Sequence, residues 1–195
     1  MRAFLRPLAA IIWKDMLLEI RTKDMTTTLI IFSLLVVIIF NIAIDPSPAS
    51  AALVAPGAIW AAYAFAGILG LNRSFILEKD RGSLEGLLLS PVARETLFIG
   101  KMLGNLMFML LVEAIMYPVF AVLFNLPIFH LGFAAVAILA TVGFATVGTL
   151  FSAMAVNTRA REVMLPILFF PVVIPIILGA VTSSRIVLIG GALSE

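Results

Sequence analysis

From Met102 to Thr158 a single side chain carries a charge, the carboxylate of Glu113. An apolar run of that length belongs in hydrocarbon, where an unpaired carboxylate costs on the order of 3 kcal/mol. Glu113 is therefore a candidate for a polar pathway, for an inter-helix contact, or for a protonated and hydrogen-bonded packing group. Its expected partners are Asn105, Asn125 or a partner subunit. The second concentration of chemistry is the stretch 72–101. There Glu78, Lys79, Asp80, Arg81 and Glu85 are interleaved with Leu77, Leu84, Leu87 and Leu88. The chain has no cysteine and one histidine, His130, so a thiolate site or a His/Cys metal cluster within it is excluded. A phosphate-binding loop is also missing. Gly100-Lys101 comes nearest, but Glu95 and Met102 stand where that loop needs glycine and Ser/Thr. No nucleophile, base and orienting group fall together in a polar segment. The chain is thus expected to be no enzyme and to hold no cofactor or metal alone.

The elements that must position these groups are membrane helices. Hydrophobic residues make up 63% of the sequence and charged residues 12%, against about 25% charged in a soluble domain. The fold class is all-α, a polytopic transmembrane bundle forming one membrane domain over 1–195. Five spans are expected, at 25–44, 53–71, 102–124, 131–155 and 163–181. The first, at ~1.5 Å per residue, covers about 30 Å, the thickness of the hydrocarbon core. Pro46, Pro48 and Ser50 predict a loop before the second span. Asn125-Leu126-Pro127 and His130 predict a turn between the third and fourth. Pro166, Pro171 and Pro175 predict a kinked or broken fifth span, tolerable in a membrane when neighbours satisfy the freed carbonyls. The piece after Arg185 is too short to cross alone. Ala49-Ser50-Ala51 resembles a cleavage site, but it lies well beyond the roughly 15–30 residues of a signal peptide.

Basic residues give the orientation. Of 13, all but Arg185 fall in 1–24, 72–101 and 157–162. Those three segments are expected in the cytoplasm, the N-terminus included. The net charge of +2 is too small to suggest a nucleic-acid partner. In segment 1–24, Leu5, Leu8, Ile12, Met16 and Ile20 recur at helical spacing, with Lys14, Asp15, Glu19 and Arg21 on other faces. An amphipathic helix lying in the interface is expected, with Trp13 at headgroup level. It is either a positive-inside anchor or an elbow leading into a transporter bundle. In the stretch 72–101 a short amphipathic helix is expected, with Gly82 permitting a break and Pro91 ending the run. It is either a connector or a set of apolar knobs for a partner's groove. Arg159, Arg161 and Glu162 form a second cytoplasmic contact point, or a basic clamp. Gly100 and Gly104 make a GxxxG helix-packing signal.

Phe75, Glu78, Gly82, Glu85, Gly86 and Leu87-Leu88-Leu89-Ser90-Pro91 resemble the signature region of the haem exporter B family, CcmB. Trp13-Lys14-Asp15-Met16-Leu17-Leu18-Glu19-Ile20-Arg21 resembles that family's N-terminal segment. Val163-Met164-Leu165-Pro166-Ile167 and the later prolines fit as well. The resemblance implies an ABC-2-type permease subunit of cytochrome c maturation in the bacterial inner membrane. It implies an ATPase-coupling segment made of Glu78, Gly82, Leu84, Glu85, Gly86, Leu88, Ser90 and Pro91. The implied partners are a CcmA-like ATPase, CcmC-like and CcmD-like membrane subunits, and a CcmE-like haem chaperone whose haem-loaded form is released with ATP hydrolysis. Haem would be cargo shared with those partners. The family pattern has six spans, whereas the residue pattern gives five, the missing one being due after Arg185. Two other classes stay open, a non-transporting membrane scaffold and a proton-coupled secondary transporter using Glu113.

Overall fold

The computed structural model describes residues 2–43, 48–80, 82–125, 131–155 and 161–192. Among them the only regular elements are seven helices: α1 (Arg2–Thr22), α2 (Asp24–Ala43), α3 (Pro48–Asp80), α4 (Ser83–Leu89), α5 (Arg94–Phe124), α6 (Leu131–Ala155) and α7 (Arg161–Ala192). Five of them, α2, α3, α5, α6 and α7, are long and apolar enough to cross a membrane. The chain is a multi-pass membrane protein with the expected five spans.

The helices run further than the apolar blocks. α3 starts at Pro48 rather than Leu53, because a proline in the first turn lacks an N–H that would be unbonded there anyway. It continues to Asp80, and α5 begins at Arg94 rather than near Met102. A charge ends the membrane-embedded part of a helix; it does not end the backbone hydrogen bonding. Glu95 even suits the positive N-terminal end of α5. α7 is one continuous helix to Ala192, with Pro166, Pro171 and Pro175 inside it. The expected break is absent, and the apolar piece after Arg185 is the last part of α7. The turn expected after α5 does begin at Asn125, which adopts φ 48° and donates its N–H to the Ala121 carbonyl. Residues 126–130 lie outside the described part.

α1 meets α2 at a tight elbow. Lys23 takes φ 54°, and the Glu19 carboxylate accepts the Thr26 N–H at 2.6 Å. Glu19 thus satisfies an N–H that the start of α2 would otherwise leave open.

α3 is the central helix. Ala55, Ala58, Ala62 and Ala66 are all buried and recur every three or four residues, a small-residue face that lets neighbours approach. Gly67 lies against Phe144 of α6, and Gly148 of α6 lies against Leu71 and Phe169. Polar rungs tie the spans together: Trp60 Nε1 donates to Ser184 Oγ at 3.0 Å, and Asn41 Nδ2 to the Leu123 carbonyl at 2.5 Å. Arg185 donates to the Leu53 carbonyl at 2.9 Å.

The close approach of α3 and α6 gives a test. A Cβ on Gly67 would meet the Phe144 ring at 2.5 Å, whereas one on Gly179 meets nothing within 4 Å. Gly67→Val should destabilise by about 1–3 kcal/mol through overpacking, and Gly179→Ala should not. Thermal unfolding midpoints in detergent will separate the two.

Candidate functional site

The connection between α3 and α5 is built on one glycine. α3 ends at Asp80, Gly82 turns the chain with φ 68° and ψ 2°, and α4 follows from Ser83. A residue with a Cβ is disfavoured in that left-handed conformation. Ser90 closes the helix: its N–H and its Oγ both donate to the Leu87 carbonyl, at 3.2 and 2.6 Å. Pro91 follows and cannot extend it. α4 is therefore a short helix held at an angle fixed by Gly82. Its main neighbour is the end of α3. Leu89 is 87% exposed, and a Cβ on Gly86 would meet nothing within 4 Å. The side chains of Leu84, Glu85 and Leu88 lie outside the described part.

Behind this connection sits a cluster of four charges. Asp15 and Lys14 come from α1, Glu78 from α3 and Lys101 from α5. Lys101 Nζ lies 2.8 Å from Glu78 Oε2 and 3.1 Å from Asp15 Oδ2. Lys14 Nζ lies 3.0 Å from Asp15 Oδ1 and also donates to Glu78 Oε1. Glu78 is 2% exposed, and Lys101 and Asp15 are buried with it. Two ammonium groups and two carboxylates cancel, which is how such charges become tolerable away from water. The pairs at Glu78 Oε2 and Asp15 Oδ1 are ionic contacts without aligned hydrogen bonds. Burial lowers the pKa of the Lys14 ammonium, but Asp15 and Glu78 outweigh it and leave the value above the usual 10.5.

The GxxxG pair makes the cluster possible. A Cβ on Gly100 would meet Ile11 at 2.9 Å, and one on Gly104 would meet Asp15 Oδ2 at 3.3 Å. The two missing side chains let α1 lie against α5 with Lys101 between them. α1 keeps an apolar outer face, with Leu5, Trp13 and Ile20 exposed, as an interfacial helix requires.

Inside the bundle, Glu113 Oε2 accepts a hydrogen bond from Thr141 Oγ1 of α6 at 2.8 Å. Asn105 of α5 donates instead to Thr149 of α6 at 3.0 Å. The two rungs are eight residues apart on each helix, in opposite directions, as antiparallel neighbours demand. The expected partners Asn105 and Asn125 are thus replaced by Thr141, because Asn105 lies two turns away along α5. Tyr63 of α3 adds a hydrogen bond to the Glu113 carbonyl at 3.2 Å.

The expected coupling residues do not all share one surface. Gly82, Gly86, Ser90 and Pro91 belong to the α4 connection. Glu78, expected on its polar side, is instead buried in the four-charge cluster, because it lies on α3 one turn before the break. Arg159 lies outside the described residues, as do the side chains of Arg161 and Glu162, whose backbone opens α7. The roles of Asp15, Lys14 and Lys101 were not legible from the sequence. The available signal was Lys101 next to two glycines spaced for a close helix contact. Leu89 is the most exposed apolar side chain described on α4. Among the described residues no group of three His, Cys, Asp or Glu could hold a metal ion.

Residues 6–194 match the family model described as CcmB protein, and the chain belongs to that family. It is 27% identical to heme exporter protein B of Bradyrhizobium diazoefficiens, over 94% of this chain and 83% of the relative. It is 30% identical to heme exporter protein B of Rhodobacter capsulatus, over 88% and 79%. The protein of that name from Pseudomonas aeruginosa is 27% identical over 84% and 75%.

The cluster predicts an unequal response to losing either lysine. Lys101→Met leaves the buried Asp15 and Glu78 carboxylates sharing Lys14 and should cost about 3–5 kcal/mol. Lys14→Met should cost less, since that side chain is 38% exposed and screened by water. Adding Glu78→Gln to Lys101→Met should recover part of the loss, a coupling read from a double-mutant cycle of unfolding midpoints. Because the folded-state pKa of Lys14 is raised, its stabilising contribution is complete below pH 10.5 and disappears as pH rises through the folded-state value. The midpoint of Lys14→Met should therefore converge on that of the parent chain only in strong alkali.

Proposed function

We propose that this chain is the membrane-spanning permease subunit of an ABC-type haem export complex, driven by a separate ATPase subunit. The observation that carries the reading is α4. It is a short helix turned out of the bundle by Gly82, with Leu89 exposed and Gly86 open, and its base is anchored by buried charges to α1 and α5. A push on α4 would reach both helices through Glu78, Asp15 and Lys101. The family membership and the names of the relatives support haem as the cargo, in cytochrome c maturation. The concentration of basic residues in 1–24, 72–101 and 157–162 supports a cytoplasmic N-terminus, and the bacterial relatives support an inner-membrane location. A CcmA-like ATPase would dock on residues 82–91. CcmC-like and CcmD-like subunits and a CcmE-like chaperone complete the assembly. Haem would be shared with them rather than held by this chain alone.

Gly86 makes the docking test clean. Among the described residues nothing beyond α4's own backbone lies within 4 Å of a Cβ there, so Gly86→Trp should leave insertion and thermal stability unchanged. It should weaken association with the copurifying ATPase at least about tenfold, a loss typical of an interface hot spot. Glu85→Gln should uncouple ATP turnover from haem release in reconstituted complexes. Undiminished association in Gly86→Trp, together with intact coupling in Glu85→Gln, would remove α4 from the docking surface.

A further inference from the structure

α5 and α6 part beside the Glu113–Thr141 rung and enclose a cavity of about 620 Å³. That volume falls within the roughly 300–1,000 Å³ range of small-molecule sites. Its mouth is formed by Ala114, Pro118 and Ile138, all exposed, and its floor by the buried Glu113 and Ala137. The mouth lies on the outer face of two membrane-crossing helices, so a ligand would enter sideways from the bilayer.

The Glu113 carboxylate lies in the cavity wall. Among the described residues Thr141 alone donates to the Glu113 carboxylate, and it does so to Oε2. Oε1 has no donor there. Pro118 loosens the helix beside it. Proline has no N–H, so the Ala114 carbonyl, four residues earlier, loses its ordinary helical partner. Ala114 and Pro118 both line the cavity. Acceptors in an apolar wall select a ligand that brings donors, because an unmet buried polar group is costly. An ionised carboxylate head, such as a haem propionate, would bring two further acceptors and be refused.

We propose that this cavity is a lipid-accessible binding site for an amphiphile with an apolar tail and an amine head, the head donating to Glu113. The site is separate from α4 and goes beyond the export reading, so ATPase coupling can fail without touching it.

The test uses the full chain in lipid nanodiscs. It is titrated with a dodecylamine bearing a dansyl tag at its far end, and with the matched tagged dodecanoate. The amine should bind saturably and at least about tenfold more tightly than the dodecanoate, the scale expected for a charge-assisted hydrogen bond. Glu113→Gln should weaken the amine about tenfold and should not weaken the dodecanoate. Ala134→Phe places a ring in the cavity and should abolish saturable amine binding, with unaltered elution and helicity. Equal binding of the two probes, or amine binding that survives Ala134→Phe, overturns the proposal. If Glu113→Gln fails to insert, Ala134→Phe and the amine-to-dodecanoate ratio still decide it.

Discussion

Two lysines and two carboxylates meet where three helices from distant parts of the chain converge. None of the four could be buried alone, since an unpaired ion away from water costs several kcal/mol. Together they are neutral, and their mutual need fixes where α1 lies, where α3 ends and how α5 enters the membrane. Gly100 and Gly104 supply the space and the ions supply the specificity. A hydrophobic contact could hold α1 against α5 in several registers. Shifting α1 by a residue would part Asp15 from Lys101. The short α4 leaves the bundle directly from this junction, so its angle is set by Gly82 on one side and by the cluster on the other.

Deeper in the bundle the same rule holds with weaker groups. Hydrocarbon offers no hydrogen bonds, so polar side chains on the spans find one another. Asn105 with Thr149, Glu113 with Thr141 and Trp60 with Ser184 act as register marks between helices whose apolar surfaces alone would slide. Alanine and glycine on α3 let its own neighbours approach closely. Beside the Glu113 rung a cavity opens between α5 and α6.

For a permease worked by a separate ATPase, this division is physically apt. A lever must be exposed at its tip and rigid at its root. Leu89 and Gly86 lie at the tip; Glu78 lies at the root. The proposed function would join the two.

Much of the fold was legible in the sequence because the bilayer imposes a one-dimensional code. Spans of apolar residues had to be helices, and among the described residues five helices are long and apolar enough to cross, matching the runs between charges. The break at Gly82, the stop at Ser90-Pro91 and the turn at Asn125 followed from local backbone preference. Helix ends at Pro48, Arg94 and Ala192 did not, because hydropathy marks the membrane boundary and not the last hydrogen bond. The resemblance placed Glu78 in a coupling segment, and the fold put it inside. What only the tertiary structure decided was pairing. Asp15, Glu78 and Lys101 are far apart in sequence, and Glu113 could have met several donors. Electrostatic partners are chosen by proximity in space, and a sequence carries no distance between helices until they pack.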